Sequence, residues 1–248
     1  MDILYIVGTG SKHDNIELRM SLRSICKYGK GVGRVIVAGD PPEWLSDEVV
    51  QVPIPVKYSR KHHEMMNRVQ HCVDFGIVDG EFLCSSDDHF YVKPVDFDHY
   101  PYYFKAVQLR DTAVLGERCY GYHLSLKQTR ELLQRHKLPI GNFEQHCNTH
   151  MHAKIFRDYK ALMDESFLLE RGSPPTTLAM NAWLTTGYAP KEFVKREDVK
   201  VNMANTVADI RAQIKGSECF SIGDSLFATN AIMDFFKEEY PDKCRFEK

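Results

Sequence analysis

Three consecutive residues, Asp87, Asp88 and His89, carry the side chains in this sequence best suited to hold a metal ion. They follow the apolar run at residues 81–85, so they are predicted to stand at the end of a buried strand. Because side chains alternate along an extended segment, Asp87 and His89 are expected to face one way as metal ligands, with Asp88 facing the other way near an acceptor hydroxyl or as a base. A carboxylate with an imidazole suits Mn²⁺, whereas an all-oxygen set favours Mg²⁺. The alternative is an exposed acidic turn that caps the next element.

A Gly-Thr-Gly-Ser turn at residues 8–11 follows the first apolar run. The small residues Gly8, Thr9 and Gly10 would let backbone N–H groups approach a base or a phosphate. A dinucleotide-binding fingerprint needs a third glycine where His13 stands, so a dehydrogenase is disfavoured. The turn is therefore interpreted as a nucleotide-binding loop, with a plain strand-to-helix turn as the alternative.

Histidines cluster at residues 146–152. His146 and His150 are four residues apart and would share one face of a helix, where either could supply a distant metal ligand or a general acid or base. There is no His-Glu-x-x-His motif, which disfavours a zinc protease. The alternative is that these are ordinary surface or half-buried histidines.

Basic and amide side chains near these segments could contact an anion. The set comprises Arg19 and Arg23 one helical turn apart, Arg60 and Lys61 before a second predicted helix, and Asn67 and Arg68 on that helix. Positive charge is needed wherever a diphosphate leaving group develops. The alternative is a solvated helix face.

Strands and helices alternate through the first hundred residues. Strands are predicted at residues 3–7, 35–38, 49–52 and 81–85, with helical spacing of apolar residues between them. This order predicts a parallel α/β sheet with helices on both faces. Ligands bind beyond the carboxyl ends of such strands, so the loops at 8–12, 39–42 (with Asp40) and 85–89 are expected to converge on the site.

The second half of the sequence is less regular. Strands are predicted at residues 102–107 and 120–126, and helices at 127–136 and 228–240. Residues 171–189 contain several Gly, Pro, Ser and Thr residues and are predicted to form an irregular lid.

Composition narrows the class of protein. The chain has 248 residues and a formal net charge of −2, so no overall basic field favours nucleic acid. No apolar run approaches a membrane span. The seven cysteines are odd in number, scattered and without a Cys-x-x-Cys pair, which disfavours a zinc ribbon or a disulfide framework and leads us to expect a reducing cytoplasm.

Two segments of the first half resemble the opening of the Stealth family of sugar-phosphate transferases. Residues 17–25 read ELRMSLRSI and residues 34–45 read RVIVAGDPPEWL, where the family reads ELRYSLRS(I/V), IYIV(T/A)D and PxWL. The family's FLY.NDD.F landmark is matched by FLCSSDDHF at residues 82–90. The family also carries a later His before a proline, for which His146 is the best match although the proline is absent. The resemblance covers roughly residues 2–97.

The resemblance implies a GT-A-like fold, the architecture of nucleotide-diphospho-sugar transferases. Because the sequence has no internal repeat, low-complexity tract or linker, we expect one domain over residues 1–248. Residues 1–97 would bind the nucleotide sugar, with a UDP-sugar expected first, and residues 98–248 would form the acceptor side. Asp88 and His146 would be catalytic. The nucleotide-sugar contacts would come from Gly8, Thr9, Gly10, Arg19, Asp40, Asn67, Arg68 and Asp87. Mn²⁺ or Mg²⁺ would be held by Asp87 and His89, with His150 as a further ligand.

His89 stands where the family has an aromatic or aliphatic residue, and Ser86 stands where it has asparagine. The resulting Asp-x-His pattern is similar to that of metal-dependent glycosyltransferases, which transfer the sugar alone. The leading expectation is therefore sugar transfer to a hydroxyl of a saccharide, a small molecule or a hydroxymethylated DNA base. The alternatives are Stealth-like transfer of a sugar-1-phosphate and a non-catalytic nucleotide-sugar-binding protein.

Overall fold

The computed structural model describes residues 1–9, 13–109 and 120–248, with the backbone alone at residue 228. The strands there are β1 Ile3–Val7, β2 Gly29–Lys30, β3 Val35–Gly39, β4 Val49–Pro53, β5 Glu81–Ser85, β6 His89–Tyr91, β7 Val95–Asp96, β8 Tyr103–Phe104, β9 Thr149–His152, β10 Val194–Lys195, β11 Lys200–Val201 and β12 Cys219–Ile222. The α-helices are α1 Ile16–Tyr28, α2 Lys61–Asp74, α3 Tyr122–Arg135, α4 Ala153–Asp158, α5 Lys160–Ser166, α6 Pro175–Trp183, α7 Val207–Gln213 and α8 Ala231–Glu239. None of the described helices is long and apolar enough to cross a membrane.

The central sheet has five strands in the order β4-β3-β1-β5-β9. The first four are parallel, and β9 is antiparallel to β5. Every residue of β1 and β3 is buried, as expected for strands whose two faces are both covered by helices. The predicted α/β class, with a mostly parallel sheet flanked by helices, is confirmed.

Residues of β1 alternate between two apolar cores. Ile3, Tyr5 and Val7 pack with Leu18, Leu22 and Ile25 of α1 on one face. On the other face Leu4 and Ile6 pack with Met66, Val69 and Cys72 of α2. The period-two alternation of the strand and the helical spacing of the two helices therefore select one sandwich, with α1 and α2 on opposite faces.

The strand order reverses between β1 and β5. From β1 the chain continues to β3 and β4 on one side of the sheet and then returns to β5 on the other side. Tyr5 of β1 pairs with Ser85 of β5, so the carboxyl ends of these two strands lie side by side. Open α/β sheets bind ligands in the crevice at such a point.

A second, smaller sheet follows directly on β5. Its order is β11-β12-β6, and β6 runs antiparallel to β12. Phe90 and Phe220 from this sheet pack with Phe235 and Phe236 of α8. Helix α1 joins the two sheets, because the hydroxyl of Ser21 donates a hydrogen bond of 2.6 Å to the carbonyl of His89.

The second half of the chain departs from the sequence predictions in two places. The strand predicted at residues 120–126 is wrong because α3 begins at Tyr122, and its buried Ser125, Thr129 and Leu132 follow the helical period. The irregular lid predicted at 171–189 is also wrong. The structure has α6 there, almost wholly buried, with Pro175 in its first turn, where a missing N–H costs nothing.

Other predictions for the second half hold better. Helices are present at most of residues 127–136 and 228–240, as α3 and α8. Of the strand predicted at 102–107, only Tyr103–Phe104 forms regular pairing, with β10.

Candidate functional site

A cavity of about 710 Å³ opens at the carboxyl ends of β1 and β5. Its walls come from the β1 turn, the start of α1, the loop before α2 and α2 itself, the turn after β5, and the second sheet. The residues that line it include Gly8, Thr9, His13, Glu17, Tyr58, Arg60, Lys61, Glu64, Arg68, Asp87, Asp88, Lys200, Asp224 and Phe227. The cavity thus lies where the strand order reverses.

Asp87 and Asp88 form the corner of a turn between β5 and β6, and both line the cavity. Asp87 is half-buried. Burial raises the pKa of Asp87 to about 7, with the carboxylates of Asp88 and Glu17 acting in the same direction and Lys61 opposing them. Three acids around one cavity therefore favour the uptake of positive charge there.

His89 does not line this cavity. Its ring is buried, with Nδ1 3.4 Å from the backbone nitrogen of Ser86 and Nε2 3.8 Å from Oδ1 of Asp88. Burial lowers the pKa of His89 to about 4. The prediction of an extended segment at 87–89 is wrong, because the chain turns at Asp87 and Asp88. Asp87 and His89 therefore do not face the same space.

His146 lies close enough to Asp88 to feel its charge. Burial lowers the pKa of His146, and the carboxylates of Asp198 and Asp88 oppose that effect. The backbone N–H of His146 donates to Oδ1 of Asp198 at 2.8 Å, and Nζ of Lys105 donates to Oδ2 of the same carboxylate at 2.8 Å. The charge of Asp88 thus reaches His146, although His146 is not among the described residues that line the cavity.

His150 is a core residue. His146 and His150 do not share a helix face, since His150 belongs to β9 and 3% of its surface is exposed. Its Nε2 donates to the carbonyl of Tyr100 at 2.8 Å, and its Nδ1 lies 2.6 Å from Oε1 of Glu81. The ring also stacks on Tyr102 at 4.0 Å. With both nitrogens occupied by protein groups, His150 is not placed to be the metal ligand that its spacing indicated.

The amino-terminal end of α2 faces the cavity through Arg60 and Lys61. Arg60 is the N-cap residue, and no side chain caps the first backbone N–H groups of the helix. Such a helix end is a site for an anion, because its N–H groups and its dipole both favour negative charge. Lys200 adds a cation from β11, and neither it nor Lys61 makes a salt bridge with another described residue.

Arg68 lines the cavity as an architectural residue. Nη1 donates to the carbonyl of Val7 at 2.7 Å, and Nε lies 3.1 Å from Oε1 of Glu64. The other oxygen of Glu64 accepts hydrogen bonds from the backbone of Lys57 and Tyr58 at 3.1 and 2.9 Å. The buried ion pair thereby fixes the end of β1 and the loop before α2, and Glu64 compensates the charge of Arg68.

Two of the three residues predicted at the β1 turn lie at the cavity. Gly8 and Thr9 line the cavity, whereas Gly10 lies outside the described residues. Two other predicted contacts are elsewhere. Asp40 is exposed at the end of β3, and Asn67 is half-buried on α2 outside the cavity lining.

Arg19 also lies outside the described lining of the cavity. Its guanidinium sits 4.4 Å above the ring of Trp44 and 3.7 Å from both Asp14 and Glu247. On α1 it therefore joins the helix to neighbouring segments, as Arg23 does through its bond of 2.7 Å to Glu247.

Some lining residues have no signal in the sequence. Lys200, Asp224 and Phe227 come from the second sheet and the turn after it, more than a hundred residues after the acidic turn. The ring of His13 stacks on Phe227 with centroids 4.4 Å apart. Only the tertiary fold brings these residues to the cavity, so no local motif could reveal them.

Across the described residues, no group of three or more His, Cys, Asp and Glu side chains is arranged to hold a metal ion. A metal at the acidic turn would therefore need ligands from a bound molecule as well as from the protein. No protein-family model matches this sequence, and no curated protein matches it significantly, so the similarity to Stealth transferases stays a prediction.

Proposed function

We propose that this protein is a transferase that takes a sugar from a nucleotide-diphosphate sugar and moves it to a hydroxyl acceptor. The observation that carries the proposal is the meeting of two features in one cavity at the switch point of the sheet. These are the Asp87–Asp88 turn after β5 and the uncapped, cationic end of α2. One binds positive charge and the other binds negative charge, which is what a metal-bound diphosphate presents.

The donor diphosphate would lie between the end of α2 and the acidic turn. Backbone N–H groups of the helix and the ammonium groups of Lys61 and Lys200 would contact the phosphate oxygens. Gly8 and Thr9 allow close approach of the β1 turn to the nucleoside. The paired rings of His13 and Phe227 offer an aromatic surface for the base.

The residues at the turn fit a divalent ion with an all-oxygen ligand set. Both carboxylates of the turn line the cavity and the imidazole of His89 does not, which supports Mg²⁺ over Mn²⁺. Mg²⁺ is commonly held by one or two carboxylates together with substrate phosphates, so the absence of a third described ligand is compatible with it. When bound, such an ion neutralises charge on the leaving nucleoside diphosphate.

The acceptor hydroxyl would approach from the side of His146. Burial lowers the pKa of this imidazole below its ordinary value, so the ring is neutral near pH 7 and can accept a proton. The backbone bond from His146 to Asp198 fixes the segment that carries the ring. Asp88 would stabilise the imidazolium that forms. The acceptor class stays open among a saccharide, a small hydroxylated molecule and a hydroxymethylated DNA base.

The sheet supports a GT-A-like assignment over a dinucleotide-binding one. Its order matches the first four strands of a doubly wound fold, yet the next strand, β9, is antiparallel. A dinucleotide-binding domain continues with parallel strands and a Gly-rich fingerprint, and His13 interrupts that fingerprint.

A second candidate is Stealth-like transfer of a sugar-1-phosphate. The Asp-x-His pattern that favoured sugar transfer loses its support once His89 points away from the cavity. The double acid with a nearby His146 remains, and that set is shared with the Stealth resemblance. Both candidates use the same donor site, and the third, a non-catalytic binding protein, would hold the donor without turnover.

Product analysis separates these candidates. The full chain is incubated with Mg²⁺, a panel of hydroxyl acceptors, and UDP-sugars or other nucleotide-diphosphate sugars. The masses of the products are then measured by mass spectrometry. Sugar transfer releases the nucleoside diphosphate, and sugar-phosphate transfer releases the monophosphate.

We expect Asp88→Asn to lower turnover by about a hundredfold or more. The matched variant Asp40→Asn, at an exposed carboxylate outside the cavity, should leave it unchanged. Turnover that survives Asp88→Asn would remove the acidic turn from the mechanism.

A further inference from the structure

A second cavity, of about 700 Å³, shares no described lining residue with the first. It is formed by the last turn of α1 and the chain's final segment, residues 238–246. Two cysteines line it, Cys26 from α1 and Cys244 from that final segment. Cys26 is exposed and Cys244 is half-buried, and the two thiols are close enough to shift each other's pKa.

The backbone on both sides of this thiol pair is held firmly. Arg23, one helical turn before Cys26, makes two bonds to the carboxylate of Glu247, at 2.7 and 2.9 Å. The same carboxylate accepts the backbone N–H of Cys244 at 3.0 Å. The Arg23–Glu247 ion pair, in which 8% of the surface of Glu247 is exposed, therefore aligns the two segments that carry Cys26 and Cys244.

The other described cysteines differ in environment. Cys72, Cys84, Cys147 and Cys219 are buried. Burial raises the pKa of the Cys72 and Cys84 thiols to about 12, which leaves them as inert core groups. Cys119 lies outside the described residues. Among the described cysteines, only Cys26 and Cys244 combine exposure with a neighbouring thiol.

We propose that Cys26 and Cys244 are a redox modification site, at which a hydroperoxide converts the two thiols into a disulfide that a reducing thiol reopens. This inference is independent of the transferase proposal. Accessible thiols beside a resolving cysteine are the ones that undergo such chemistry. The hydrogen bond from Cys244 and the nearby Arg245 guanidinium lower the pKa of Cys26, and the pair raises the pKa of Cys244. These directions make Cys26 the attacking sulfur.

The reaction balances with hydrogen peroxide as oxidant. The Cys26 thiolate attacks one peroxide oxygen and the O–O bond breaks, which gives a sulfenic acid and a hydroxide that is protonated to water. The Cys244 sulfur then attacks the Cys26 sulfur, the S–O bond breaks, and the hydroxide leaves with the thiol proton as a second water. Two thiols lose two electrons, and the peroxide takes them.

The disulfide would join α1 to the end of the chain. Because it closes a loop from residue 26 to residue 244, it restricts the unfolded chain strongly. The oxidised protein should therefore unfold at a higher temperature than the reduced protein. Dithiothreitol should reverse the increase.

The test uses the full chain, reduced, desalted and treated with hydrogen peroxide. Peptide mapping without reductant should yield one linked peptide pair containing Cys26 and Cys244, lighter than the sum of the two thiol peptides by two hydrogens. In Cys244→Ser the pair should vanish, and dimedone should trap a sulfenic acid at Cys26. Cys119→Ser is the matched control and should keep the linked pair. The proposal is overturned if Cys26 of the wild type accumulates as a sulfenic or sulfinic acid, or if it links to Cys119 or to another chain instead.

Discussion

At the acidic turn, the backbone decides which side chains share the cavity. A strand continued through Asp87 would have placed His89 beside it, as alternation predicts. The turn instead places Asp87 and Asp88 together and directs the imidazole of His89 into the interior. The consequence is chemical, since two carboxylates make a hard oxygen site whereas a carboxylate and an imidazole make a softer one.

The roles of Asp87 and His89 in metal binding can be separated by two substitutions. Asp87→Asn removes a charged oxygen ligand, so we expect magnesium binding to weaken by at least about tenfold. His89→Asn keeps an acceptor near the position of Nδ1 and should leave magnesium binding unchanged. Isothermal titration calorimetry with Mg²⁺ in the presence of UDP measures both variants.

Circular dichroism of the two variants controls for folding, because His89 is buried. Loss of the ion in both variants would restore the Asp-x-His ligand pair and contradict the placement of the imidazole.

Among the elements, α2 and α3 are joined by a histidine at the start of α2. The ring of His62 donates from Nδ1 to the hydroxyl of Ser125 at 2.6 Å, and that hydroxyl donates to the carbonyl of Gly172 at 2.6 Å. Burial lowers the pKa of His62 to about 4, and the charges of Lys61 and His63 act in the same direction. The buried ring is therefore neutral near pH 7.

The burial of His62 makes stability depend on pH. Between the ordinary histidine pKa of 6.5 and the folded-state value of about 4, the unfolded chain binds a proton at His62 that the folded chain does not. The unfolding free energy is therefore unaffected above pH 6.5 and falls as the pH drops from 6.5 towards 4. His62→Gln cannot titrate, so it should lose less stability than the wild type between pH 7.5 and 5, by at most about 2 kcal/mol. Urea unfolding at the two pH values measures the difference, and equal losses would show that His62 is not the group responsible.

The first half of the fold follows from local pattern. Buried strands β1, β3 and β5 are continuous apolar runs bounded by glycine or polar turns, and α1 and α2 repeat apolar residues at helical spacing. Because parallel strands end at one edge, the meeting of Gly8 and Thr9 with Asp87 and Asp88 could also be predicted.

The second half could not be predicted in the same way. Helix α6 is nearly all buried, so its sequence lacks the amphipathic pattern that marks a surface helix, and its prolines suggest a loop. Residues such as Lys200 and Phe227 enter the cavity only through the pairing of β11 and β12 with β6. The partners of His150 are likewise set by the packing of β9 on β5. Long-range contacts of this kind leave no trace in local spacing.

At the scale of the whole molecule, the cavity lies at the junction of two sheets. The acidic turn connects β5 of the central sheet to β6 of the smaller sheet, and α1 contacts both through Ser21. The residues that line the cavity are spread along the chain between Gly8 and Phe227. A ligand there contacts elements of both sheets, so its binding should stabilise the fold as a unit.

The proposed site requires donor and metal to bind cooperatively, which isothermal titration calorimetry of the full chain measures. UDP-sugars, followed by other nucleotide-diphosphate sugars, are titrated with Mg²⁺ and with EDTA. We predict that at least one donor binds about tenfold or more tightly with Mg²⁺, a difference of about 1.4 kcal/mol, and that Asp87→Asn and Asp88→Asn remove the difference while Asp40→Asn keeps it. Cooperative binding at the acidic turn is contradicted if every donor binds equally with Mg²⁺ and EDTA, or if both acidic-turn variants bind as the wild type does.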